Sequence, residues 1–117
     1  MKDLNQLPIS MDLVEYLEHQ RVWSEKTFGP GERTAGLIDH IQKELKEIAE
    51  YPGDLYEWVD VMILAFDGAR RVGYTSEEIA RGLINKQEIN ERRMWPDCKT
   101  CAEGKAIEHI KDKEVLP

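Results

Sequence analysis

The feature that most constrains this chain is a Pro-Gly break between two helical patterns, within the segment HIQKELKEIAEYPGDLYEWVDVMILAFD at residues 40–67. The pair at positions 52 and 53 ends the first pattern and reverses the chain, which predicts two antiparallel helices joined as a hairpin. Each helix carries an acidic pair spaced i, i+3, and this spacing places both carboxylates on one helix face. The hairpin should therefore gather four carboxylates, those of Glu44, Glu47, Glu57 and Asp60.

The positions of these carboxylates are unusual for a solvated surface. Glu44 lies at the edge of the apolar stripe of its helix, and Asp60 lies between Val59 and Val61 on a helix that is apolar on most sides. Half-buried carboxylates that face one another repel and lose hydration, so something must neutralise them. Oxygen ligands without His or Cys suit Mg²⁺ or Mn²⁺ better than zinc. The residues favour such a metal site over the alternative, an ordinary salt-bridged helix pair.

Composition narrows the possible functions. A chain of 117 residues fits one domain, which we expect to span 1–117 with a core at about 10–97. The net charge of −7 disfavours binding to nucleic acid or to anionic membranes. The sequence has no apolar run of about 18 residues and no pattern of a signal peptide, so we expect a cytoplasmic protein. An acidic protein that handles phosphates would need metal ions to bridge the like charges.

The remaining periodicity predicts an all-α fold with four main helices. We expect them at about 11–26, 34–50, 54–72 and 75–94, with a short C-terminal helix at 104–113. Ser10 is the expected N-cap of the first helix, and Thr75 with Glu78 forms a capping box for the fourth. The third helix is apolar on nearly every side, which predicts that it is buried between neighbours, including another subunit.

Several other residues are candidates for ligand contact. Residues 27–34, TFGPGERT, could offer backbone N–H groups to a phosphate or serve as a plain connector, and both interpretations stay open. Phe28 could pack on a base or on another subunit, whereas for Trp23 we expect core packing rather than stacking on a ligand. His40 lies four residues before Glu44 and could contact a substrate, although a surface histidine is an equal alternative.

A polar stripe follows in the fourth helix, where Lys86, Asn90 and Arg93 are spaced i, i+4, i+7. Lys and Arg could hold phosphates as a point charge and as a fork, and the alternative is a solvated face. Cys98 and Cys101 form a single CxxC motif. Zinc would need two further ligands, so two thiols without a shared role are the favoured interpretation.

Together these motifs resemble the all-α nucleoside triphosphate pyrophosphohydrolases of the MazG-like type. The segments WSEKTFGPGERTAGLIDHIQKELKEI, DLYEWVDVMILAFDGARRVG and INKQEINERRMWPD are similar to the short branch of that family described as dATP/dGTP diphosphohydrolases, and the resemblance covers residues 18–110. It departs at Cys98, where the branch commonly has an aromatic residue. The resemblance implies a four-helix MazG-like bundle that assembles as a dimer or a tetramer. It also implies metal-dependent cleavage of a triphosphate, dGTP or dATP, to the monophosphate and pyrophosphate. If the protein is phage-encoded, the expected location is the host cytoplasm.

The resemblance also assigns roles to residues. It implies that the four carboxylates bind Mg²⁺ or Mn²⁺, and that Glu47, or else Glu44, orients or deprotonates the attacking water. Lys86 and Arg93 would hold phosphates, and Asn90 would contact phosphate or sugar. Trp23, Phe28 and Trp95 would enclose the base, with His40 as a further substrate contact. The alternatives are a non-catalytic helical module that binds nucleotides or a partner protein, a phosphatase acting at the γ-phosphate, and a zinc-dependent role for the two cysteines.

Overall fold

The computed structural model describes residues 10–111, and their main elements are four α-helices. They are α1 (Leu13–Phe28), α2 (Thr34–Glu50), α3 (Leu55–Arg71) and α4 (Ser76–Arg92), followed by a single 3₁₀ turn at Cys98–Thr100. No strand is present within residues 10–111, so the all-α prediction is confirmed. These residues form two compact units, on either side of the bond between Arg81 and Gly82.

Acidic side chains and hydroxyls set the starts of α1 and α4. The Asp12 carboxylate accepts from the Glu15 N–H at 2.8 Å, and the Glu15 side chain accepts in return from the Asp12 N–H. The expectation that Ser10 caps this helix is therefore wrong, because Asp12 has a glutamate at the position that completes a reciprocal capping box. The capping box of Thr75 and Glu78 is confirmed, with backbone-to-side-chain distances of 3.0 and 3.1 Å.

The predicted hairpin is formed by α2 and α3, and α3 also packs against α1. The Asp54 N–H donates to the Tyr51 carbonyl at 3.0 Å, which closes the turn at residues 51–54. The Asp54 carboxylate then accepts from the Tyr56 N–H and starts α3. The side chains of α3 consequently meet those of both preceding helices.

One side of α3 is not covered by the residues that the structure describes. Among these residues, the buried apolar side chains are Leu17 of α1 and Leu37 and Ile48 of α2. By contrast, Trp58 and Met62 of α3 are 47% and 53% exposed. Within residues 10–111, the prediction that α3 is buried on all sides is therefore not met. Of the helices within residues 10–111, none has both the length and the apolar character needed to cross a membrane.

The expected C-terminal helix at 104–113 is absent over its described part, residues 104–111. The chain turns at Gly104, whose φ is +75°. Further on, the Ile110 N–H donates to the Met94 carbonyl at 2.7 Å instead of to a carbonyl one helical turn earlier. A segment this short gains too little from its own helical hydrogen bonds to offset the cost of nucleating a helix.

Candidate metal centre and nucleotide cleft

Three of the four predicted carboxylates meet where α2 packs against α3. Glu44, Glu57 and Asp60 each offer one oxygen to a group in which all these oxygens lie within 4.8 Å of one another. Glu44 is buried, Glu57 is half-buried and Asp60 is exposed. The i, i+3 spacing of Glu57 and Asp60 puts both on the face of α3 that meets α2. The donor set consists only of oxygen atoms, as a hard divalent cation requires.

Glu47 lies outside this group of three, although it is close to two of its members. The Glu47 carboxyl can share a proton with Glu57, and this contact, followed by burial, raises the pKa of Glu57 to about 7. Burial and then the same Glu47 carboxyl raise the pKa of Glu44. The cluster therefore holds more negative charge than its own side chains can accommodate.

The buried oxygens of this cluster lack partners. Within the described residues, one carboxylate oxygen of Glu44 and one of Glu57 are buried and make no hydrogen bond. The other Glu44 oxygen lies 3.2 Å from His40 Nε2. Lys43, which directly precedes Glu44 in the chain, has its Nζ 3.4 Å from the Asp39 carboxylate at the surface. Unpartnered buried carboxylate oxygens, raised pKa values and an all-oxygen donor set together fit a divalent metal ion.

A cleft of about 380 Å³ opens beside the carboxylates. Trp23 and Phe28 form an edge-to-face pair with ring centroids 5.4 Å apart. Trp23 is 53% exposed, so the expectation that it packs in the core is wrong. The aromatic pair can instead offer an apolar surface to a ligand ring. The cleft is lined by Gln20, Trp23, Ser24, Phe28, His40, Glu44, Asp60, Ile63, Leu64 and Asp67.

Asp67 lines the cleft, but its carboxylate oxygens already accept hydrogen bonds from two arginines and a serine hydroxyl. Its carboxylate accepts from Ser24 Oγ at 3.0 Å, from Arg71 Nε at 3.0 Å and from Arg70 Nη2. Burial acts to raise the pKa of Asp67, but the hydrogen bonds from Arg71 and Ser24 outweigh it and hold that pKa below its usual value. Asp67 is therefore part of an ion network with Arg70 and Arg71 and does not belong to the group of Glu44, Glu57 and Asp60.

Ser24 and Gln20 line the cleft but were not predicted as site residues. Arg70 and Arg71 pair with Asp67 rather than with the carboxylate cluster. The spacing of Asp67 from these arginines, i+3 and i+4, is a readable signal for an ion pair within one helix. Ser24 and Gln20 are uncharged and far from α3 in the chain, so no local pattern could have identified them.

The predicted phosphate-binding stripe lies in the second compact unit. Lys86 is exposed, and Asn90 is half-buried and accepts from Arg93 Nη1 at 3.1 Å. Trp95 Nε1 donates to the Asn90 carbonyl at 2.7 Å, and its ring meets His109 edge-to-face at 5.9 Å. The assignment of these residues to substrate binding stays a prediction.

The CxxC motif offers no assembled metal site. Cys98 is exposed and Cys101 is half-buried, and both thiols are free. Within residues 10–111, the carboxylate cluster is the group of potential metal ligands that the fold brings together, and the two cysteines do not form another with His109.

Comparisons with known proteins agree with this geometry. A family model described as dATP/dGTP pyrophosphohydrolase matches residues 16–114. The Eaa protein of Salmonella phage P22 is 42% identical over 97 residues, which are 81% of this chain and 29% of that protein. A dATP/dGTP diphosphohydrolase of Salmonella phage PMBT28 is 42% identical over 76 residues, which are 62% of this chain and 24% of that protein. The chain thus spans less than a third of the length of either relative.

A solved structure is similar over most of the chain. It is the MazG-like pyrophosphohydrolase of cyanophage S-2L, bound to dGDP and three catalytic Mn²⁺ ions per active site. The similarity covers 86% of this chain and 99% of that one, with a TM-score of 0.66 and 27% sequence identity.

Proposed function

Because the chain belongs to the dATP/dGTP pyrophosphohydrolase family, we propose that it hydrolyses purine deoxynucleoside triphosphates to the monophosphate and pyrophosphate. The observation that carries the proposal is the carboxylate cluster of Glu44, Glu57 and Asp60 at the wall of a cleft that also contains two aromatic rings. A nucleotide has the same two parts, an anionic triphosphate and a flat base. The dGDP and Mn²⁺ ions held by the cyanophage protein agree with this arrangement.

The carboxylates would hold Mg²⁺ or Mn²⁺. When bound, such ions neutralise phosphate charge, polarise phosphoryl oxygens and lower the pKa of water. The unpartnered buried oxygens of Glu44 and Glu57, together with the Asp60 carboxylate, are the groups that would contact the ions. Glu47 would either complete this set or act as the base.

Glu47 is the favoured base because it is exposed and stands beside the cluster without belonging to it. In this role its carboxylate accepts a proton from the water, whose oxygen bonds to one of the two phosphorus atoms of the α–β linkage. The bond from that phosphorus to the bridging oxygen breaks, which separates the monophosphate from pyrophosphate. A positioned general base of this kind typically contributes about 10²–10⁴-fold to the rate. His40, which lies 3.2 Å from Glu44, would keep that carboxylate oriented and contact the substrate.

Binding of the substrate would use both aromatic and cationic residues. Trp23 and Phe28 would pack against the base, with Trp95 as a further base contact. Lys86 and Arg93 would hold the β- and γ-phosphates, and Asn90 would contact phosphate or sugar. A chain with a net charge of −7 needs such local cations, in addition to metal ions, to bind a polyanion.

We also propose that the protein works as a homo-oligomer, a dimer or a tetramer. The exposed apolar side of α3, with Leu55, Trp58 and Met62 spaced i, i+3, i+7, supports this because a second copy could cover it. The place of action would be the cytoplasm, and that of the host cell if the protein is phage-encoded. In this proposal, residues 1–117 act as a single pyrophosphohydrolase domain.

The test is product analysis with a matched pair of variants. The protein is incubated with each dNTP and NTP plus Mg²⁺, and nucleotides and phosphates are resolved separately. We expect monophosphate with an equal amount of pyrophosphate, fastest for dGTP or dATP, and no turnover by Asp60→Asn. Asp39→Asn is the control, because it makes the same chemical change on the exposed surface of α2.

Other outcomes have defined meanings. Full activity of Asp60→Asn would refute the assignment of the site. Diphosphate and orthophosphate as products would leave the assignment of the metal site in place, but would show that the enzyme is a phosphatase acting at the γ-phosphate. Nucleotide binding without turnover, under both Mg²⁺ and Mn²⁺, would instead identify a non-catalytic binding module.

A further inference from the structure

The guanidinium of Arg71 is enclosed by oxygen acceptors from three parts of the fold. Its side chain is 1% exposed, and its Nε donates to Asp67 at 3.0 Å. Its Nη1 donates to the carbonyl oxygens of Gly29 and Gly31 at 2.8 and 2.9 Å. Its Nη2 donates to the carbonyl oxygen and the hydroxyl of Ser24 at 3.2 and 2.9 Å. These contacts use all the N–H groups of a guanidinium, which a lysine ammonium cannot reproduce.

Two of those acceptors belong to the glycine loop, which we define as residues 29–33 between α1 and α2. Gly29 and Gly31 have φ values of +89° and +93°, a region that residues with side chains rarely adopt. In this conformation both carbonyls point to the same nitrogen of Arg71. Because α3 carries Arg71, the path of the loop is tied to the helix that also carries Glu57 and Asp60.

The loop begins directly after an aromatic residue of the cleft. Phe28 is the last residue of α1, and it lines the cleft together with Trp23, Ser24 and Asp67. Its ring lies edge-to-face against Trp23 and 5.4 Å from the guanidinium carbon of Arg33, which is itself in the loop. A shift of the loop would therefore move the Phe28 ring.

We propose that Arg71 is a positioning residue for nucleotide binding: it fixes the glycine loop and, through it, the Phe28 ring on which the base packs. The proposal rests on the proposed function, since it assigns to Phe28 a contact with the base. Because the glycine loop and the Phe28 ring are held in place before the nucleotide binds, binding does not carry the entropic cost of ordering them. Loss of this order weakens substrate binding and leaves the chemical step unchanged, because Arg71 does not contact the carboxylate cluster.

The test compares Arg71→Lys with Arg70→Lys. Arg70 is a matched control because it is buried next to Arg71 on the same helix and also pairs with Asp67. Its other partner is Glu25, and it donates to neither loop carbonyl. We expect both variants to lower Tm, whereas only Arg71→Lys raises KM for dGTP, by about three- to tenfold, with kcat nearly unchanged. Mn²⁺ affinity, measured by electron paramagnetic resonance, should be the same in both.

A double-mutant cycle with Phe28→Ala separates this role from a general loss of structure. If Arg71 acts through Phe28, the double variant has the KM of Phe28→Ala alone. Additive effects on KM, or an unchanged KM in Arg71→Lys, overturn the inference while the proposed function stands. A wild-type protein without turnover overturns the proposed function and this inference with it.

A second variant applies if Arg71→Lys does not fold. Gly31→Ala strains the loop backbone because the φ of Gly31 is +93°, and it removes no buried charge. The added Cβ would meet open space, so no steric clash accompanies the strain. Gly104→Ala introduces the same kind of strain at a φ of +75° far along the chain from the loop. A rise in KM for Gly31→Ala but not for Gly104→Ala supports the positioning role, and equal KM values refute it.

Discussion

Replacement of Asp67 by asparagine tests the buried ion network most directly. The change keeps the shape of the side chain but removes the charge that faces Arg70 and Arg71, whose side chains are 7% and 1% exposed. Removal of one partner from a buried ion pair costs about 3–5 kcal/mol, because the remaining charge stays buried without compensation. With an unfolding entropy of about 2.1 cal/mol/K per residue, a chain of this length would lose about 12–20 °C in Tm.

The effect should depend on pH with a defined sign. The pKa of Asp67 is lower in the folded protein than its ordinary value of 3.8. Its contribution is therefore fully present above that value and is lost as the pH falls through the folded pKa. The difference in Tm between wild type and Asp67→Asn should be largest at neutral pH and should shrink in strong acid.

Thermal unfolding followed by far-ultraviolet circular dichroism measures this difference. Asp39→Asn is the matched control, since Asp39 also pairs with a cation on its own helix, Lys43, but with side chains that are 68% and 70% exposed. An exposed pair contributes about 1 kcal/mol or less, so this control should change Tm by at most about 4 °C. Equal shifts for the two variants at neutral pH would refute the argument that the network stabilises the fold.

Two further predictions concern the metal site and assembly. Because the pKa values of Glu44 and Glu57 are raised, the second from 4.5 to about 7, the folded metal-free protein binds more protons than the unfolded chain within that window. The Tm of the metal-free protein should therefore fall as the pH rises from 4.5 to about 7, and added Mn²⁺ should restore it. A Tm that is independent of pH in the presence of a chelator would contradict this. Met62→Glu, which places a charge on the exposed apolar side of α3, should reduce the mass measured by light scattering to that of one chain, and an unchanged mass would exclude this side as the interface.

The carboxylate site was predictable because its signals are local. The i, i+3 pairs and the Pro-Gly break at residues 52–53 define which faces carry charge and where the chain reverses. The rotation of α2 against α3 is decided by packing, and it places Glu44 in the group of three but Glu47 beside it. The pattern alone treats these two residues as equivalent.

The Arg71 contacts could not be predicted in the same way. Arg71 and Ser24 are 47 positions apart in the chain, and their contact depends on how α1 lies against α3. For Trp23 the sequence pattern predicted burial in the core, whereas the structure places this residue at an open cleft. In both cases the missing information is tertiary, namely which helix faces which.

The short turn between α2 and α3 has a consequence for dynamics. The residues proposed to hold metal come from two helices joined only by residues 51–54, so the site is assembled from contacts close in sequence. Such contacts close a small loop and tend to form early in folding. A bound ion would then cross-link α2 to α3 in the half of the hairpin that is next to the turn. In hydrogen-exchange experiments, Mn²⁺ should slow the exchange of backbone amides in α2 and α3 far more than in α4, and uniform protection would show that the ion stabilises the whole chain instead.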